Sequence, residues 1–178
     1  QSGYVETQQI RTKVGDTQAR QKAALIEVAS GKTTWVERDS ASGTREADVV
    51  AIGFSPTGRH ALVRVTATDY EDAWIVVVDL PSLGRREVAH LHDDAWLGGP
   101  LGFTAGWLRD GETVYYGSEE TGYAHLYTVA AAGGTPKALT SGRWEVLDAQ
   151  LAPDGRTFYL HTNEVDFGQV HFYALDLA

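Results

Sequence analysis

The chain has 178 residues, with 15 Lys+Arg against 24 Asp+Glu, a formal net charge of −9, 43% hydrophobic residues and no cysteine. This length suits one ordinary domain, and the apolar content is enough for a core and too high for a disordered tail. The acidic balance argues against a nucleic-acid groove or an anionic-membrane anchor, and zero cysteine excludes a disulfide framework, a thiolate zinc site and a cysteine nucleophile.

The longest apolar run, Ala73 to Val78, is far short of the roughly 20 residues that cross a bilayer. No charged segment followed by an apolar stretch reads as a signal peptide. The chain starts at Gln1 and contains no methionine, so it is expected to be a fragment or a processed piece.

Taken in chain order, the first segment is contested. Asp16 followed by Thr17 to Leu25 has the propensity of a capped helix. Ala29-Ser30-Gly31-Lys32 matches the other inter-strand turns, which favours strands at Ala23 to Val28 and Thr33 to Glu37. Residues 38–48 are polar with Gly and Ser and read as a loop.

From there a pattern recurs. Val49 to Phe54 reads as a strand, Ser55-Pro56-Thr57-Gly58 as a turn, and Ala61 to Val65, Trp74 to Val78 and Arg85 to Leu91 as three more strands. The order repeats with Leu101 to Leu108, the turn Leu108-Arg109-Asp110-Gly111, Thr113 to Tyr116, His125 to Val129 and Pro136 to Thr140. It begins again with Val146 to Leu151, the turn Ala152-Pro153-Asp154-Gly155, Thr157 to Leu160 and His171 to Leu175. Pro fixes φ at the first central turn position, and Gly supplies φ > 0 where the chain reverses. The turn glycines are 53 and 44 residues apart, a spacing that predicts propeller blades.

The fold class expected is therefore all-β, a partial β-propeller of four-stranded antiparallel blades over residues 1–178. It would comprise a half blade at 22–37, blades at 49–92 and 101–141, and an incomplete blade at 146–177. An open array of this kind leaves two apolar faces uncovered, which predicts association with another copy or with the rest of the parent.

Ser118-Glu119-Glu120-Thr121-Gly122-Tyr123-Ala124-His125-Leu126-Tyr127, followed by Leu139-Thr140-Ser141-Gly142-Arg143-Trp144-Glu145-Val146, resembles the propeller of the dipeptidyl-peptidase-IV-like branch of the prolyl oligopeptidase family. Ala29 to Trp35, and Trp96 leading to Trp107-Leu108-Arg109-Asp110-Gly111, fit the same pattern. The resemblance implies a serine peptidase parent. In such enzymes an N-terminal eight-bladed propeller covers a C-terminal α/β-hydrolase domain, restricts access and helps hold the substrate's N-terminus. By the resemblance this chain is roughly the later half of that propeller, without the hydrolase domain.

Candidate chemistry within the chain is sparse. A hydrolase needs a G-x-S-x-G nucleophile elbow, and no such string occurs. Gly53-Phe54-Ser55-Pro56-Thr57 comes nearest, but Thr57 replaces the second Gly and Ser55 opens a repeated turn. Ser118 fits less well, with Tyr116 and Glu120 at the two Gly places. No catalytic residue is therefore assigned. Glu119-Glu120 could bind an amine, but neighbours in a strand point to opposite faces. By the resemblance, the family's amine-binding Glu pair lies N-terminal to this chain, so a solvated strand end is preferred. His90-Leu91-His92-Asp93-Asp94 puts two imidazoles on one strand face. It lacks a well-spaced third ligand and reads as the polar end of an outer strand, so no metal and no cofactor are expected.

His125 and His171 fall at equivalent places in successive repeats, which suggests packing or hydrogen bonding. Trp35, Trp74, Trp96, Trp107 and Trp144 are expected to fill the space between sheets. The resemblance places Pro100 and Leu101 where some family members carry a Phe-Arg pair lining the extended substrate cleft, which here would leave an apolar, uncharged wall.

The function expected is a non-catalytic propeller segment that gates and orients peptide substrates for a separate hydrolase domain. Its partners would be that C-terminal α/β-hydrolase domain and the peptide, with no nucleic acid and no membrane. The alternative is a peptidase-independent propeller for binding or scaffolding. A bacterial periplasmic or secreted location is expected, with the cytoplasm left open.

Overall fold

The computed structural model describes residues 19–36 and 46–177, and these contain strands and turns but no helix. Among the described residues thirteen strands form four separate antiparallel sheets. The first sheet pairs β1 (Ala23–Ile26) with β2 (Thr33–Val36). The second is β3 (Ala47–Phe54), β4 (His60–Ala67), β5 (Asp72–Asp79) and β6 (Arg85–His92) in sequential order. The third is β7 (Ala105–Trp107), β8 (Thr113–Ser118), β9 (His125–Ala130) and β10 (Lys137–Ala138). The fourth is β11 (Val146–Leu151), β12 (Thr157–Thr162) and β13 (His171–Asp176). This is the all-β architecture of a partial propeller with four-stranded antiparallel sheets.

Strand β5 shows why the sheets stack. Its unbroken apolar run is buried on both faces. Trp74, Val76 and Val78 pack towards the first sheet with Val36, Val63 and Val65. Ala73, Ile75 and Val77 pack towards the third with Trp107, Tyr116 and Tyr127. A strand with two covered faces needs no polar alternation. Strand β12 is the opposite case: Phe158 and Leu160 enter the core against the third sheet, while Tyr159 and His161 alternate out to solvent.

The three repeated turns share one geometry. Gly58, Gly111 and Gly155 have φ of 68, 69 and 66°, and each amide donates to the carbonyl three residues back. Asp110 and Asp154 brace two of these turns by accepting from the amides two and three residues on. Successive turns also touch. A Cβ on Gly111 would lie 2.7 Å from Thr57 Cγ2, and one on Gly155 would lie 2.7 Å from Arg109 Cβ.

Several boundaries differ from expectation. The first strand, expected over Ala23 to Val28, ends at Ile26; pairing with β2 and packing of Ala23 into the core hold it as a strand against its helical propensity. Asp16 to Gln18 and Glu37 lie outside the described residues. Strand β3 begins at Ala47, inside the expected loop. The run expected from Leu101 is a strand only from Ala105, because Leu101 to Thr104 closes a turn, with Thr104 N donating to Leu101 O at 2.9 Å. The outer strand at 136–140 shrinks to Lys137–Ala138.

Candidate functional site

The second and third sheets enclose between them a small cleft of about 50 Å³. It lies where the ends of β6 and β8 meet the connection from β6 to β7. Asp93 starts that connection by accepting from the amides of Ala95 and Trp96 at 2.7 and 2.9 Å. These bonds hold its carboxyl below the ordinary range, outweighing its partial desolvation. Trp96 stacks flat on Tyr70 with centroids 4.9 Å apart, and Leu97 N donates to Tyr70 O at 2.7 Å. Gly102 N then donates to Gly99 O at 3.3 Å, closing a tight turn. A Cβ at Gly99 would collide with the Glu119 carboxylate, one at Gly102 with the Gly98 carbonyl, and one at Gly117 with Leu101.

Charge in the cleft is unevenly placed. Arg64, from the middle of β4, is only 6% exposed. Its Nε donates to Thr66 Oγ1 at 3.1 Å, its Nη1 donates to Gly102 O, and the Phe103 ring lies 5.0 Å from Cζ. Burial pulls its pKa down to about 10, so it stays charged at neutral pH. Glu119 lies against Gly99, and burial first, then repulsion from Glu145 and Asp93, raise its carboxyl. Glu120 lines the same cleft, and burial first, then the nearby Glu120 carboxylate, push Tyr116 up to about 12. Contrary to the expected strand alternation, β8 ends at Ser118 and the Glu pair lies in the turn that Gly122 N closes by donating to Glu119 O at 2.8 Å, with both residues lining the cleft.

His90 Nε2 and His92 Nδ1 both reach Asp72 Oδ1, at 2.7 and 2.9 Å, and His92 Nε2 reaches Asp94 Oδ1 at 3.0 Å. The His90 ring lies flat on Trp74, with centroids 5.1 Å apart. The imidazoles hydrogen-bond to a carboxylate already supplied by β5, and among the described residues no His, Asp and Glu set forms a metal cage.

The other candidates divide as follows. Ser55 is buried and structural: its Oγ accepts from His60 N at 3.1 Å and contacts Thr57 Oγ1 at 3.0 Å. Ser118 Oγ accepts from Glu120 N at 3.2 Å. His125 is 1% exposed and bonded to Thr140 Oγ1 and Gly142 O, both at 3.1 Å. His171 holds the matching strand position, but its buried Nε2 lacks a partner. Trp74 and Trp107 fill inter-sheet space, whereas Trp35 and Trp96 are 55% and 62% exposed, contrary to expectation. Pro100 is exposed at the loop surface, while Leu101 beneath it is 1% exposed and packs with Leu126 and Phe158. The sequence reading missed Arg64, although a lone charge inside the apolar run Ala61 to Val65 marks it.

A family model for the N-terminal region of dipeptidyl peptidase IV matches residues 1–178. A probable dipeptidyl peptidase 4 from Aspergillus fumigatus is 32% identical over 140 residues, covering 75% of this chain and 18% of the relative. Its counterpart from Aspergillus clavatus is 30% identical over 138 residues, with the same coverage. The chain thus spans about a fifth of the length of these relatives. Among solved structures, Porphyromonas gingivalis dipeptidyl peptidase 4 superposes with a TM-score of 0.70 at 22% identity, over 87% of this chain and 22% of that one. TolB from Acinetobacter baumannii gives 0.55 at 14% identity, over 87% and 35%. At these identities the structural likeness speaks for the propeller fold.

Proposed function

The chain belongs to the dipeptidyl peptidase IV N-terminal region family, and from that premise we propose that it is a non-catalytic part of the propeller of a serine peptidase. Its role is to gate and orient peptide substrates for an α/β-hydrolase domain elsewhere in the same polypeptide. The observation that carries this reading is the family match across the whole chain, on a framework with no nucleophile elbow of its own. Both serines weighed as nucleophiles serve turns instead.

In this reading the β6–β7 connection faces the substrate. Pro100 presents an uncharged apolar surface, and Leu101 fixes its position from beneath. The fixed φ of Pro and the glycine-lined turn keep the wall rigid, which lowers the ordering cost of holding a peptide against it.

The test is hydrolysis of a Gly-Pro chromogenic amide by the full-length polypeptide and by this chain alone. Turnover by the former and none by the latter is expected. An inactive full-length polypeptide would favour a peptidase-independent binding or scaffolding module, and activity in the isolated chain would contradict its non-catalytic role.

A further inference from the structure

We infer that Arg64 is a positioning residue for peptide substrates: from inside the second sheet, its guanidinium pins the turn that carries Pro100. This inference rests on the reading of the β6–β7 connection as the substrate-facing wall.

The argument begins with a cation that has no anion. Arg64 is the one charged side chain in the apolar run Ala61 to Val65, and it is only 6% exposed. Its partners are the Thr66 hydroxyl, the Gly102 carbonyl and the Phe103 ring, and among the described residues it enters no ion pair. A buried charge costs several kcal/mol to desolvate, and an apolar side chain of similar volume fills such a place without that cost. What the charge adds is a hydrogen bond roughly twice as strong as a neutral one, and here it is directed at the loop.

The turn puts that bond where it governs Pro100. Gly99 to Gly102 is a four-residue turn, closed by Gly102 N donating to Gly99 O, with Pro100 at its first central position. Leu101, 1% exposed, anchors it from beneath. Downstream, Thr104 O accepts from Gly117 N at 2.9 Å and ties the connection to β8. Between these anchors Arg64 holds both the Gly102 carbonyl and the Phe103 ring. That carbonyl belongs to the planar peptide unit joining the two residues, so the contacts fix its orientation and with it the end of the Pro100 turn. The guanidinium is a rigid fork, and Nε on Thr66 sets the direction in which Nη1 points. A wall held in this way meets a peptide at a lower ordering cost, an effect that belongs to KM.

The test has two readouts. In the 178-residue chain, hydrogen exchange at the Gly102 and Thr104 amides reports on the turn. Arg64→Met keeps the apolar stem and removes the donors. It is expected to speed exchange at both amides at least about tenfold without lowering the melting temperature, because the unpaired charge goes as well. Thr66→Val, which keeps the guanidinium and removes only its guide, speeds the same amides about threefold. In the full-length polypeptide, Arg64→Met raises KM for the Gly-Pro amide at least about threefold and changes kcat less. Unchanged exchange in Arg64→Met overturns the inference, as does unchanged exchange in Thr66→Val should Arg64→Met fail to fold. Faster exchange matched by an equal fall in global stability also overturns it, because ordinary core packing has that signature. Unchanged KM in Arg64→Met beside an altered KM in Pro100→Phe overturns the positioning role alone. Unchanged KM in both variants is the failure of the substrate-facing reading, and the role falls with it.

Discussion

Arg109 Nη1 donates to the carbonyl of Asp154 at 3.0 Å, so the turn of the third sheet grips the corresponding turn of the fourth. The same register brings Thr57 against Gly111 one sheet earlier. The repeated turn therefore contacts its own copy, and its glycine answers both a positive φ and a close approach.

Gly111→Ala is expected to destabilise the chain by about 1–3 kcal/mol, combining the left-handed strain of a Cβ with the clash at Thr57. Urea unfolding measures this. Adding Thr57→Ala should recover the clash and leave the strain, so a double variant no better than the single one would disprove the contact.

Leu101→Ala should cost about 3 kcal/mol, as expected for a fully buried leucine. Pro100→Phe, one residue earlier on the surface, should change stability by less than about 0.5 kcal/mol. In the full-length polypeptide it should alter KM for peptide amides more than kcat. A Pro100→Phe enzyme with unchanged KM would remove this loop from the substrate cleft.

Ser55→Ala should leave any hydrolysis by the full-length polypeptide intact and lower stability by about 1 kcal/mol, because the buried His60 amide loses its side-chain acceptor. Thermal unfolding and the peptide assay together separate the two roles. Loss of activity with unchanged stability would make Ser55 a chemical group.

Acid should weaken the repeated turn. Burial raises the Asp110 carboxyl, but the Thr113 hydroxyl and the Glu112 and Thr113 amides outweigh it and hold the group below its ordinary value. A carboxyl depressed in the folded state contributes stability above its unfolded pKa, and that contribution is lost as pH falls through the folded value. The melting temperature should drop as pH falls below about 4, the ordinary Asp value, and Asp110→Ala should shrink that drop. An identical pH profile in the variant would refute it.

Much of this fold was legible because its signals are local. The turns at Gly58, Gly111 and Gly155 announce themselves through Pro, Asp and Gly, and β5 through an apolar run that only two covered faces explain. The first strand was harder: Ala23–Ile26 owes its state to its pairing with β2, and residue propensity there favours a helix. Leu101 reads as strand in the sequence because its turn depends on close approaches the sequence does not show, of Gly99 to Glu119 and of Gly102 to the Gly98 carbonyl. Arg64 was missed for a similar reason. Its neighbours in sequence are apolar, and its partners Gly102 and Phe103 lie nearly forty residues away.

The unequal covering of the sheets bears on how the molecule opens. Amide protons of β5, enclosed on both sides, should be the last to exchange with deuterated solvent, and those of β13, which has no buried residue, among the first. Unfolding would then fray inward from the fourth sheet like a stack losing its end leaf, with the second sheet as its most persistent layer.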